Sequence, residues 1–82
     1  MHEVVSAVPL AGFKLLLTFD DDVQKVFDMS GEFTGVFEYL KDPCVFNTVA
    51  VVHGAPTWFP PEGLEVDLCP DVLYRDSVLY IR

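Results

Sequence analysis

Few side chains in this sequence have the types and spacing that chemistry requires. The run Asp20-Asp21-Asp22 offers carboxylates that a divalent cation could use. A calcium loop, however, places its ligands at alternate positions around a central glycine and ends in a glutamate, whereas Val23 follows this run directly. We therefore interpret the three aspartates as a solvated turn between two strands, because aspartate side chains bond nearby backbone N–H groups. We predict no metal site.

The histidines and cysteines give little support to catalysis. His2 lies near the start of the chain, and His53 lies in a predicted turn without a neighbouring ligand to complete a zinc site. A nucleophilic pair would need Cys44 or Cys69 beside His53, and the strand predicted over 45–52 separates Cys44 from His53. Without C-x-x-C spacing, we expect two buried, reduced thiols. We predict no catalytic residue and no cofactor.

The segment 57–74 carries the candidate binding residues. Trp58 and Phe59 precede two prolines, which favours a pre-ordered aromatic surface of the kind that anchors protein interfaces. The alternative is that Trp58 closes the core beneath the loop. Further on, Asp71 is placed to cap a helical turn, and Tyr74 can pack its ring on the core while its hydroxyl bonds a polar partner. The predicted partner-binding residues are Trp58, Glu62, Asp67, Asp71 and Tyr74.

Charge narrows the class of partner. The 82 residues include 13 Asp and Glu against 5 Lys and Arg, a net charge of −8. The cations are scattered, so we expect no nucleic-acid and no membrane partner. A basic protein is a suitable partner because opposite charge speeds association, although acidity alone also aids solubility. No basic segment followed by an apolar one opens the chain, so we expect no secretory signal and a cytoplasmic location.

The periodicity of apolar residues predicts the elements that position these side chains. Alternation with period two is typical of strands, and Phe33, Val36, Phe37 and Leu40 recur at the spacing of one helical face. Asp42-Pro43 is expected to end that helix. The predicted helix covers 30–41 and a helical turn covers 70–74. The predicted strands cover 4–10, 14–19, 23–29, 45–52, 57–59 and 64–68, with 77–81 as a candidate terminal strand.

This order predicts one α+β domain over 1–82. The hairpin connections favour a mostly antiparallel sheet of five or six strands, with one short helix on one face, in the order β-β-β-α-β-β before the C-terminal helical turn. One helix is little cover for such a sheet. The open face would carry Leu16 and either Phe46 or Trp58. Either the sheet curls or a second chain, a partner protein or another copy, covers that face.

A family pattern runs through most of residues 3–76. Its parts are Val5 with Pro9-Leu10, Leu15-x-Leu17-x-Phe19, Val26-Phe27-Asp28, Leu40 with Asp42, Phe46, Val49-x-Val51, and Trp58…Gly63…Asp67-Leu68-Cys69-Pro70-Asp71-Val72-Leu73-Tyr74. With these residues the chain resembles the bacterial "domain of unknown function 2442" family, although aspartates stand in the hairpin turn where that family often has a glycine. The resemblance implies a small prokaryotic α+β domain. Some members are encoded beside another small protein, an arrangement like that of toxin–antitoxin pairs.

The sequence therefore predicts a small non-enzymatic protein-interaction domain, the antitoxin-like partner of a two-protein module. The alternative is a small enzyme or a ligand- or metal-binding protein that uses Trp58, Asp67, Asp71 and Tyr74.

Overall fold

The computed structural model describes residues 2–30, 40–59 and 65–80. Its α+β class and antiparallel strand pairing confirm the predicted class of fold. Most of the predicted helix over 30–41 lies outside the described residues, and so does Glu62. Among those described, no helix has the length and apolar character needed to cross a bilayer. The elements are β1 (Val4–Leu10), β2 (Lys14–Phe19), β3 (Gln24–Asp28), α1 (Pro43–Phe46), β4 (Ala50–Val52), β5 (Ala55–Trp58), β6 (Val66–Asp67), α2 (Pro70–Asp76) and β7 (Val78–Leu79).

The strands are divided between two sheets, where the sequence predicted one. A four-stranded sheet has the order β1-β2-β3-β7, and a three-stranded sheet has the order β4-β5-β6. β7 pairs with β3 on the side away from β2, through the pairs Lys25 with Leu79 and Val26 with Val78. The opposite edge strand, β1, carries Pro9 and a register shift between Val4 and Ser6. Because proline lacks an N–H and a bulge interrupts the ladder, the β1 edge does not continue into β4. The backbone N–H of Val4 donates instead to the carbonyl oxygen of Gly54, between β4 and β5, at 2.7 Å.

The segment around Pro43 begins a helix, where the sequence predicted the end of one. The Asp42 carboxylate accepts the backbone N–H of Cys44 at 2.9 Å, and Pro43 stands in the first turn, where its missing N–H is not needed. Of the strand predicted over 45–52, only the part that forms β4 is a strand in the structure. The four-residue α1 buries Phe46 and leaves Cys44 exposed, so the expectation of a buried thiol is wrong here, as it is for the exposed Cys69.

The core lies between the inner face of the four-stranded sheet and the second sheet. Alternation along β2 turns Leu15, Leu17 and Phe19 inward, and each is fully buried. Phe46 and Trp58 join them from the other side, which excludes both from the open sheet face where the sequence placed one of them. Burying large apolar side chains of this kind contributes about 1.5–3 kcal/mol each relative to exposure. The core cluster is Val4, Leu15, Leu17, Phe19, Met29, Leu40, Phe46, Trp58, Val66 and Leu73.

The opposite side of the four-stranded sheet, called the outer face below, carries an apolar row. Directly paired residues of antiparallel strands project from the same side of the sheet. The pairings therefore align Val8, Leu16, Val26 and Val78 across β1, β2, β3 and β7. Leu16 lies on this open face, as the sequence predicted. By the same register the outer face also includes Ser6, Leu10, Lys14, Thr18, Gln24 and Asp28.

Candidate functional site

Trp58 lies in the core and offers no surface to a partner. Its side chain is fully buried, and its indole Nε1–H donates to the carbonyl oxygen of Phe46 at 2.9 Å. The two rings are stacked with centroids 6.0 Å apart. In the β5–β6 ladder Trp58 pairs with Val66, which is also buried. The bonds made by Trp58 are therefore those of a residue that closes the core, one of the two roles that the sequence left open.

Two other predicted residues, Asp71 and Tyr74, meet on one side of α2. They are three positions apart, a spacing that places side chains on one face of a helix. The Asp71 carboxylate accepts the backbone N–H of His2 at 2.8 Å, and the His2 ring stacks on Tyr74 with centroids 3.6 Å apart and 5° between the planes. Asp71 was expected to cap α2, but the cap residue is Cys69, which makes no side-chain cap bond. Asp71 instead fastens the N-terminal segment to the helix.

The ring of Tyr74 is held from several directions. The Nζ atom of Lys25 lies 4.0 Å from the ring centroid and 2.6 Å from the Tyr74 carbonyl oxygen. Since His2 stacks on one face at 3.6 Å, the ammonium group must occupy the other face. Phe19 contacts the ring with its centroid 4.9 Å away at an interplanar angle of 78°. A cation on a ring face and an edge-to-face pair are each worth about 0.5–1.5 kcal/mol.

The Tyr74 hydroxyl binds the aspartate turn between β2 and β3. It donates to Oδ2 of Asp21 at 2.8 Å, while Oδ1 of the same carboxylate accepts the backbone N–H of Val23 at 3.1 Å. Asp22 adopts a φ of 67°, a left-handed conformation that aspartate tolerates. The backbone N–H of Asp20 donates to the carbonyl oxygen of Glu3 at 2.8 Å. The predicted turn is thus confirmed, and it also joins the N-terminal segment and α2.

These contacts bring together acidic side chains from two separate segments of the chain, the β2–β3 turn and α2. We call this region the acidic end, formed by Asp20, Asp21, Asp22 and Asp71. Lys25, a cation beside this region, binds the ring and the carbonyl oxygen of Tyr74. The hydrogen bond from Tyr74 holds the pKa of Asp21 below its ordinary value of 3.8, and the same bond raises the pKa of Tyr74 above 10.0. At neutral pH the pair is therefore a carboxylate and a neutral phenol.

The described residues show no cluster of metal-ligating side chains. Within 2–30, 40–59 and 65–80, no group of three or more His, Cys, Asp or Glu side chains could hold a metal ion. An open groove of about 530 Å³ beside β7 is lined in part by Asp28 and Asp76. Its two carboxylates already accept bonds, one from the backbone N–H of Ser30 at 2.8 Å and one from Arg75 at 2.8 Å.

The last two predicted residues have different positions. Asp67 is exposed on β6, where it pairs with Thr57 of β5. It lies three residues before α2 begins at Pro70. Glu62 lies outside the described residues. His2 and Asp21 also belong to this contact network, although the sequence analysis did not select them as binding residues. The bonds that join them to α2 span 69 and 53 positions, and no local pattern reveals contacts between residues so far apart.

Comparison of the chain with protein-family models, with curated proteins and with solved structures finds no match. The resemblance drawn from the sequence pattern therefore stays a prediction, and the function has to be argued from the geometry described above.

Proposed function

We propose that this chain is a small non-enzymatic protein-interaction domain that binds a basic partner protein through its acidic end. The observation that carries the proposal is the joining of carboxylates from the β2–β3 turn and from α2, with the backbone of the N-terminal segment bonded to both. Tyr74 bonded to Asp21 and His2 bonded to Asp71 hold these segments together. Following the family resemblance, the partner is the second protein of a two-protein module, in which this chain is the antitoxin-like half.

Gathered carboxylates favour a cationic partner for two reasons. Like charges held close together repel one another, and a partner that supplies lysine or arginine relieves that repulsion and is steered toward the surface. In addition, the turn and α2 are already fixed by hydrogen bonds. Binding therefore loses less conformational entropy than it would at a flexible acidic segment.

The alternative of a small enzyme or ligand-binding protein has weaker support. That alternative is centred on Trp58, which is fully buried and bonded to Phe46. Asp71 already accepts a bond from the backbone N–H of His2, and Tyr74 donates its hydroxyl proton to Asp21. These groups stabilise the fold at the acidic end. Their remaining exposed oxygens suit contact with a partner's cations better than proton transfer.

The proposed contact residues differ in part from those predicted by sequence. Asp71 and Tyr74 remain, and the carboxylates of the β2–β3 turn join them. Asp67 stays a proposed contact because it is exposed on β6, close in sequence to α2. Trp58 is removed because it is buried.

Binding to the product of the adjacent gene tests the proposal. The two proteins would be mixed, and co-elution, the shift in melting temperature and the affinity would be measured. The test variant is Asp20→Asn/Asp22→Asn, since asparagine also tolerates the φ of 67° at position 22. The control is Asp28→Asn/Glu65→Gln, which removes the same charge elsewhere. Asparagine at 28 can still accept the N–H of Ser30.

We expect the acidic-end variant to bind about tenfold more weakly, because exposed ion pairs contribute about 0.2–1 kcal/mol each. The control should lose less than about twofold, and added salt should weaken the wild-type complex. An equal loss in both variants would show that net charge, and not the acidic end, governs binding. Absence of co-elution and of any melting shift would remove the two-protein module.

A further inference from the structure

The outer face differs from the rest of this acidic chain in carrying almost no charge. The chain has a net charge of −8. The strand register places two charged side chains on the outer face, Lys14 and Asp28, which are opposite in sign and directly paired across β2 and β3. Asp76 of α2 lines the groove at the β7 edge of this face and is paired with Arg75. Lys14 also contributes to holding the pKa of Asp28 low, after the backbone and side-chain bonds from Ser30. This surface is therefore electrically neutral.

The centre of the outer face is apolar and open. Val8 and Val78, at the two ends of the row, are 45% and 72% exposed. Leu16 and Val26 lie between them and are half-buried by their neighbours in the sheet. Leu10, on β1, is 37% exposed and extends the apolar surface toward the Lys14–Asp28 pair. Side chains of this kind on every strand of a sheet are typical of a face that packs against another layer.

We propose that a second copy of this chain covers the outer face, with the two four-stranded sheets packed face to face. A basic partner would be drawn to the acidic end and would gain nothing from a neutral apolar surface. Two outer faces can meet around a twofold axis without opposing net charges, and each supplies the same apolar row to the other. The highly charged parts of both copies then remain in water.

The size of the face sets the strength of this association. With strands about 4.8 Å apart and alternate residues about 6.8 Å apart, its Cα atoms span roughly 14 Å by 14 Å, or about 400 Å² per copy with side chains. Two copies would bury on the order of 800 Å², below the roughly 1,200 Å² at which stable interfaces begin. The dimer is therefore expected to be weak and reversible.

The response to added salt distinguishes the proposed dimer from the proposed binding of a basic partner. Two copies that each carry −8 repel one another, so screening by added salt should tighten the dimer. Binding of a basic partner at the acidic end should respond in the opposite direction. The inference uses a different surface, and either proposal can fail without the other.

Sedimentation equilibrium of the purified chain from about 10 µM to about 1 mM tests the dimer directly. The test variants are Val78→Lys and Val8→Lys, at exposed positions of the two edge strands. The matched control is Val72→Lys, which adds the same charge at a 40% exposed position of α2. Circular dichroism and the melting temperature verify that each variant is folded.

The wild type should dimerise reversibly, and its Kd should fall as salt rises from about 50 mM to about 500 mM. Each outer-face variant should raise the Kd at least about tenfold, because a desolvated ammonium group would lie in the apolar interface. The Val72→Lys control should change it less than about twofold. A wild type that is monomeric at about 1 mM in high salt overturns the proposal, whatever the variants do. A dimer that salt weakens, or that Val72→Lys disrupts equally, also overturns it.

Discussion

Replacing Trp58 by phenylalanine tests whether Trp58 is a core residue or a binding residue. The change removes the Nε1–H that donates to the carbonyl oxygen of Phe46 at 2.9 Å. The Phe46 carbonyl oxygen keeps only the longer bond from the backbone N–H of Val49 at 3.4 Å, so losing the indole donor costs about 0.5–1.5 kcal/mol. The smaller ring also leaves a cavity of about 40 Å³, which at about 24 cal/mol per Å³ adds about 1 kcal/mol. We expect the free energy of unfolding to fall by about 1.5–2.5 kcal/mol.

That loss is large beside the roughly 4–12 kcal/mol of total stability expected for a chain of this length. Urea unfolding followed by far-ultraviolet circular dichroism measures it, because the variant lacks the tryptophan whose fluorescence would otherwise report unfolding. Phe59→Leu is the matched control, since Phe59 is adjacent but 57% exposed. It should cost less than about 0.5 kcal/mol, as surface substitutions usually do.

Partner binding is the second measurement on the same variant. Under conditions in which Trp58→Phe remains folded, its affinity for the basic partner should be unchanged, because the indole contributes no surface. A loss of stability below about 1 kcal/mol together with markedly weaker binding would refute this assignment. Trp58 would then be a contact residue.

Two further substitutions test the contacts at the acidic end and at α1. Tyr74→Phe removes the hydroxyl that holds the pKa of Asp21 below 3.8. In the wild type this bond contributes stability above about pH 4, and that stability is lost as the pH falls through the lowered pKa of Asp21. The Tm of the variant should therefore decline less steeply between about pH 5 and pH 2 than the Tm of the wild type. An equally steep decline in both proteins would contradict the bond. Because Asp21 also raises the pKa of Tyr74, the wild type should lose Tm as the pH rises above about 10, and Tyr74→Phe should lose less. Asp42→Ala removes the cap on the N–H of Cys44 and should lower the free energy of unfolding by about 1 kcal/mol in urea, whereas Asp42→Asn should retain most of it; equal losses in both would argue against the cap.

Local patterns predicted the first hairpin of the fold well. The bounds of β1 and β2 are as the alternation and the turn residues predicted, and β1, which carries Pro9, is an edge strand. Leu15, Leu17 and Phe19 share the buried face, as the two-residue period requires. Such features depend on neighbours within a few positions, which the sequence displays directly.

The elements around Pro43 show where local reasoning fails. Asp-Pro can end one helix or begin another, and the choice depends on whether Phe46 finds a buried site against Trp58, twelve positions away. The division into two sheets depends in the same way on β7 reaching the edge of β3 from the far end of the chain.

The acidic end was predicted only in part for the same reason. Asp71 and Tyr74 could be selected as polar residues on a short helix, but their partners could not. His2 and Asp21 reach them over 69 and 53 positions. No periodicity relates residues so far apart, and only the packing of the N-terminal segment on α2 brings them together.

The most direct test of the acidic end is a ¹H–¹⁵N correlation titration of the labelled chain with the product of the adjacent gene. Amide shifts should cluster at the turn of residues 20–23 and along α2 from Asp71 to Tyr74, and they should diminish when salt is added. Shifts centred on Val8, Leu16 and Val26, or no shifts at all, would contradict the proposal that this end of the molecule binds a basic protein.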